Sequence, residues 1–195
     1  IEAAIGRGCD LLYLETPTNP TLKVLDLQRL AAAGHAQGAT VVVDNTFATP
    51  LNQRPLELGA DLVLHSATKF LGGHSDAMGG VVCGRRDLID TIFRFREING
   101  ATLAAPVAYF LIRSLKTLEL RVERHNANAM ALARFLDGHP AVERVYHPGL
   151  ESDPGHEIAS RQMRGYGGML SFDLRGDMDD VRRVLSRLRF AHRAA

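Results

Sequence analysis

The chain is 195 residues long and 46% hydrophobic, enough to bury a real core. Its 23 Lys and Arg are matched by 22 Asp and Glu for a formal net charge of +1, which excludes the one-signed field of a nucleic-acid or membrane-surface binder. No apolar run of membrane-spanning length occurs in it, and its two cysteines, Cys9 and Cys83, border apolar strands. That is the pattern of small buried residues in a reducing, cytoplasmic compartment rather than of a disulfide framework.

In chain order, Leu11–Glu15 predicts a short strand ending in the turn TPTNP, where two prolines exclude helix. Asp26 is placed to cap a helix reaching about Gln37, with Leu27, Leu30, Ala31, Ala33 and Gly34 inward and Gly38 as its stop. Residues 41–43 predict a second strand, Pro55–Leu58 one helical turn, 62–64 a third, buried strand and 80–83 a fourth. A helix is predicted over 86–97. This alternation predicts an α/β fold with a mostly parallel sheet joined by short right-handed crossovers. A long helical region is expected over 106–136, with Leu111, Leu115, Leu118 and Val122 on an apolar face and Arg121, Glu123, Arg124 and His125 on a polar one. It leads into a smaller α/β unit with strands at Val142–Tyr146 and 169–174 and helices at 157–163 and 178–188. The expected division is a large domain over 1–120 and a small one over 121–195.

Two strand ends carry the chemistry. Residues 61–76 read DLVLHSATKFLGGHSD: an apolar strand, two hydroxyls at Ser66 and Thr68, the lysine Lys69, and two glycines that allow a sharp turn. The chain is poor in lysine, most of its basic residues being arginine. A lysine recessed at a strand end can lose its proton and form a Schiff base with a carbonyl cofactor. Ser66 and Thr68 can gather hydroxyls and backbone N–H groups around an anion. A surface loop carrying one lysine accounts for the same residues. The stretch TVVVDNTFATP ends the preceding strand at Asp44. Ligands collect at the carboxyl ends of parallel strands, so Asp44 and Lys69 are expected to face one crevice. Acid and lysine on one aromatic ring is the pairing that pyridoxal phosphate (PLP) chemistry uses, the carboxylate keeping the ring nitrogen protonated; the alternative for Asp44 is a turn former. His65, His74 and Asp76 match no compact zinc spacing, so no metal is expected. His125, His139, His147 and His156 read as surface or turn residues.

The segments ETPTNP (15–20), DNTFATPLNQ (44–53) and HSATKFLGGHSD (65–76), in that order, resemble the Cys/Met-metabolism family of PLP-dependent enzymes. That family includes cystathionine γ-synthases and γ-lyases, methionine γ-lyases and homoserine sulfhydrylases. The resemblance continues through 114–136, 139–150 and 165–174, covering essentially the whole chain. It implies the aminotransferase-like α/β fold (fold type I), with a PLP-binding large domain and part of a smaller C-terminal domain, in a homo-oligomer built as a dimer of dimers. It implies Lys69 as the amine joined to PLP, Asp44 as partner of the pyridine nitrogen, Ser66 and Thr68 as phosphate-binding hydroxyls, and Asn19 facing the phenolic oxygen. Thr46, two residues after Asp44, is placed to lie under the ring. The plain alternatives are an Asx turn for Asn19 and packing for Thr46; Glu15 matches a family position to which no role is assigned. The implied reaction is γ-replacement of activated homoserine by cysteine, of cystathionine γ-synthase type. The alternatives are γ-elimination to a 2-oxo acid, ammonia and a thiol, or an inactive fragment competent only in subunit association. The resemblance also implies flanking segments with a phosphate loop, a ring-stacking aromatic, a Tyr/Arg pair lent to the neighbouring subunit and a carboxylate-binding arginine.

Overall fold

The computed structural model describes residues 1–191. Four strands form one sheet in the order β1 (Leu11–Glu15), β2 (Thr40–Asp44), β3 (Leu62–Ser66) and β4 (Gly80–Gly84). The first three are parallel and β4 is antiparallel. Glu15 pairs with Asp44 and Asp44 with Leu64, so three carboxyl ends lie side by side. The sheet is mostly parallel, as expected, but the crossover expected between the third and fourth strands is absent. After Ser66 the chain has only a short π-type turn, Ala67–Leu71, before β4. Without a crossover helix to return it to the far end of the sheet, it doubles back beside β3.

Side chains alternate across the strands. Leu12, Leu14, Val41 and Val43 face α1 (Glu2–Ile5) and α2 (Leu27–His35), forming the main core with Ile5, Leu27, Leu30, Ala31 and Ala39. Each such side chain contributes about 1.5–3 kcal/mol on burial. The predicted cap of α2 is present: the Asp26 carboxylate accepts the Arg29 N–H at 3.1 Å. At Gly34 a Cβ would stand 2.9 Å from Leu12 Cδ2, so helix and sheet approach too closely for a side chain there. Cys9 is half-buried, but Cys83 is exposed, against expectation.

After β4 come α4 (Arg86–Ile98), α5 (Ala105–Leu115) and α6 (Leu118–Asp137). The single helix expected over 106–136 is therefore two. Thr117 leaves the helical basin (φ −113°, ψ 7°) and its hydroxyl bonds the Ser114 carbonyl at 3.2 Å, closing α5. Leu111, Leu118 and Val122 are buried as expected, whereas Leu115 is exposed and Arg121 turns inward. The last elements are β5 (Val142–Tyr146), α7 (His156–Gln162), β6 (Ser171–Leu174) and α8 (Met178–Arg187), with β5 and β6 antiparallel. Ala133 of α6 packs on this pair with Val142, Val145 and Leu150. Residue 120, the expected domain boundary, falls inside the unbroken α6.

Polar side-chain links tie the elements around the first sheet to those around the second. Asn52, in α3 (Thr49–Asn52), and Asn126 of α6 exchange amide hydrogen bonds at 3.0 and 2.8 Å. Gln162 donates to Gln53 at 2.9 Å, and Arg161 pairs with Asp26 at 2.9 Å. His147, expected at the surface or in a turn, begins the turn after β5, its carbonyl accepting the Leu150 N–H at 3.0 Å, and is fully buried. Its Nδ1 accepts the Gly149 N–H at 3.1 Å, while Nε2 has no partner among the described residues.

Candidate functional site

The carboxyl ends of β2 and β3 are built on a buried amide network. Asn45, wholly buried, donates its backbone N–H to Leu64 at 2.9 Å and its side-chain amide to the carbonyls of Thr49 and Gln53 at 3.1 and 2.9 Å. Gln53 returns a bond to Asn45 Oδ1 at 2.8 Å and reaches the Thr16 carbonyl at 3.0 Å. The loop 44–53 is thereby fixed against the turn after β1. Thr49 has φ 66°, uncommon for a β-branched residue; both its backbone polar groups are held by Asn45. Sequence reasoning quoted these residues as a motif without finding this role. Its signal was two amides eight positions apart in a loop that also had to be buried.

Asp44 is half-buried. Its Oδ1 accepts the Thr46 N–H at 3.0 Å and its Oδ2 the Tyr13 hydroxyl at 3.4 Å. Burial and the neighbouring Asp44 carboxylate hold the Tyr13 phenol above its ordinary pKa. Tyr13 was not singled out from sequence, although its spacing before Glu15 sets both on the Asp44 face once the register is known. Thr46 is a tether: its hydroxyl accepts the Ser66 N–H at 2.8 Å, joining the loop after β2 to the end of β3. The Ser66 hydroxyl makes no hydrogen bond among the described residues. That of Thr68 accepts the Gly79 N–H at 3.1 Å and lies 3.4 Å from the Gly79 carbonyl, which is the turn-holding role.

Lys69 is exposed, not recessed as the sequence reading expected. The inward positions of its turn go to Ala67 and Leu71, packed with Leu111, and Lys69 itself departs from helical geometry (φ −89°, ψ −119°). Its amine makes neither a hydrogen bond nor an ion pair among the described residues. Asn19 is exposed and forms no Asx turn; its N–H is accepted by the Glu15 carboxylate at 3.1 Å, which gives Glu15 the role of capping the turn after β1. His65 lies on the opposite sheet face from Ser66, buried, with Nδ1 unpartnered. Burial pushes its pKa down, partly opposed by the charge of Asp44. His74 Nδ1 donates to the Gly72 carbonyl at 2.7 Å, and no group of three His, Cys, Asp or Glu among the described residues is arranged to hold a metal ion.

The carboxyl ends of β2 and β3 and the turn that follows thus carry an anchored carboxylate, an unengaged hydroxyl and an unengaged primary amine. These fit a ligand with a basic nitrogen, an anionic group and an aldehyde, the three functions of PLP. Fold and strand ends together define an α/β protein of the PLP-dependent class. The chain belongs to the Cys/Met metabolism PLP-dependent enzyme family, whose model matches residues 1–195. It is 48% identical over 193 residues to an L-methionine γ-lyase of Fusobacterium nucleatum, covering 97% of this chain and 49% of the relative. It is 50% identical over 176 residues to a cystathionine γ-synthase of Mycobacterium tuberculosis, covering 90% and 45%. Among solved structures, cystathionine γ-synthase from Xanthomonas oryzae in complex with cystathionine superposes with a TM-score of 0.96 at 42% identity, over 99% of this chain and 50% of that one. The chain spans about half the length of the curated relatives it matches. No helix among the described residues is long and apolar enough to cross a membrane.

Proposed function

We propose that this chain is the PLP-binding portion of a cytoplasmic trans-sulfuration enzyme acting at Cγ of an amino acid, of cystathionine γ-synthase type. The observation that supports the reading is that Asp44 and Ser66 stand at neighbouring carboxyl strand ends joined by the Thr46–Ser66 bond, with Lys69 three residues further on in the turn after β3. PLP, when bound, supplies an electron-accepting ring that stabilises negative charge on substrate carbon. Lys69 would supply the amine for the cofactor aldehyde and would take and return substrate protons. Asp44, steadied by the Thr46 N–H and the Tyr13 hydroxyl, keeps the ring nitrogen protonated. Ser66 offers its hydroxyl to the phosphate, Thr68 adds its own by turning from the Gly79 carbonyl, and Asn19 and Thr46 complete the cofactor contacts. Loss of the Cγ leaving group followed by addition of the cysteine thiol gives γ-replacement. The residues 1–120 form the cofactor domain in this reading and 121–195 belong to the small domain.

The likeness to a methionine γ-lyase favours a second outcome at the same site, γ-elimination. The exposed apolar side chains of α4 and α5 support self-association, which an inactive chain would retain. An absorbance scan with added PLP tests cofactor binding: a lysine-dependent band lost in Lys69→Ala supports the reading, and no band overturns it. Product analysis of the protein carrying this chain separates the reactions. Cystathionine formed from O-activated homoserine and cysteine supports the synthase; 2-oxobutyrate and cysteine as the dominant products from cystathionine overturn it.

A further inference from the structure

The carbonyls that follow Lys69 are each taken by a specific donor. The Lys69 carbonyl accepts the Gly73 N–H at 2.7 Å, and the Gly72 carbonyl faces His74 Nδ1 at 2.7 Å. The two between them, of Phe70 and Leu71, both go to Arg121 on α6, at 2.8 and 3.3 Å. Arg121 also donates to the Ser114 carbonyl at 3.0 Å and the Thr117 hydroxyl at 3.2 Å. Phe70 and Leu71 end the lysine turn and Ser114 lies in the last turn of α5, so one guanidinium reaches carbonyls at two helical C-termini, where positive charge is favoured. One helical turn further along α6, the His125 ring meets the Phe70 ring edge-on at 5.6 Å. α6 therefore grips the residue after Lys69 by backbone and side chain together.

Gly73 belongs to the same device. Its φ is +74°, and a Cβ there would stand 2.1 Å from Arg121 Nη1. The glycine pair of the motif makes room for a guanidinium as well as for a turn.

From this we infer that Arg121 is a positioning residue for Lys69: it fixes the backbone that aims the amine, and links that aim to the helix leading into the second sheet. The inference rests on the reading of Lys69 as the cofactor amine. Lysine cannot replace the arginine, because an ammonium lacks the planar fork that spans carbonyls on two elements.

The test treats the 195-residue chain with PLP and cyanoborohydride and maps the label over Lys23, Lys69 and Lys116. Lys23, exposed and remote in sequence, is the internal reference. Arg121→Met should lower the Lys69 to Lys23 labelling ratio about tenfold, the scale of a misaimed reacting group. Arg121→Lys should fall between, and Arg124→Met, exposed on the same helix, should leave the ratio unchanged. Amide exchange should accelerate at Gly72 and Gly73 in Arg121→Met but not within β1 to β3. An unchanged ratio overturns the inference, as does a fall accompanied by equal loss of protection throughout the sheet. Should Arg121→Met fail to fold, Arg121→Lys carries both measurements. Absence of preference for Lys69 in the unmodified chain overturns the reading of Lys69 instead, and the exchange at Gly72 and Gly73 then decides separately whether Arg121 holds the turn.

Discussion

Thr46 Oγ1 accepts the Ser66 N–H at 2.8 Å, so the loop leaving one strand supplies the hydrogen-bond acceptor that the end of the next requires. Valine at 46 has nearly the same shape but no acceptor, and it leaves a half-buried N–H without a partner. Thr46→Val should cost about 1–3 kcal/mol, the usual penalty for an orphaned donor, whereas Thr46→Ser should stay within about 0.5 kcal/mol. Urea titrations at pH 7 compare them. Equal midpoints for the two variants would show that the bond contributes nothing.

Local patterns made the strands and the α2 cap legible, because alternation and capping are properties of neighbouring residues. Asp44 and Lys69 were legible as strand-end residues for the same reason. Tyr13, Arg121 and the Asn45–Gln53 network were not, since each acts on a segment whose position only register and packing define. The break at Thr117 was missed because periodicity runs on through it; a threonine hydroxyl closing on Ser114 leaves no mark in an apolar pattern. The exposure of Lys69 was missed because motif order says which residues meet but not which face of a turn is covered.

Asp61 sits at the opposite, amino-terminal ends of the strands and is 8% exposed. Its Oδ2 accepts the Val41 N–H at 2.8 Å and lies 2.9 Å from His35 Nε2, and its Oδ1 accepts from Arg85 at 3.2 Å. Burial raises its pKa, but the Val41, His35 and Arg85 contacts outweigh that and hold the carboxyl below its ordinary value. A carboxyl depressed in the folded state adds stability above its unfolded pKa and loses it as pH falls through the folded one. Asp61→Ala should therefore cost about 3 kcal/mol at pH 7, and the gap to the unmodified chain should close below about pH 4. Denaturation midpoints from pH 7 to 3 check both halves. A gap that stays constant with pH would mean that the lost bonds, and not the charge, carry the effect.

No residue of α4 is buried, and Phe95 and Ile98, three positions apart and so on one face of the helix, are 69% and 85% exposed. An exposed apolar face of this kind marks an association surface. The chain should sediment above its monomer mass of 21.3 kDa, and Phe95→Asp with Ile98→Asp should return it to the monomer without loss of helix signal. Sedimentation velocity at several concentrations reads this directly, and a monomer in the unmodified chain would remove the support for self-association.

Among the described residues His65 and His147 are the buried imidazoles, each with a buried ring nitrogen that has no partner there. Burial lowers the pKa of both, Asp44 partly opposing the shift at His65 and contacts with Gly167 and Asp153 partly opposing it at His147. The unfolded chain takes up protons at these residues near pH 6.5, while the folded chain resists until lower pH. Between those values protonation favours unfolding, so stability should decline as pH drops from about 6.5. His65→Phe keeps the ring volume and removes one titrating group, and it breaks no protein hydrogen bond at Nδ1. Its stability should fall less steeply between pH 7 and 5.5 than that of the unmodified chain, with the remaining slope carried by His147. The comparison is of slopes from urea midpoints, not of absolute values, because ring burial itself shifts with the substitution. Identical slopes would show that His65 takes up its proton equally in the folded and unfolded chain, despite its burial in the strand that leads to Lys69.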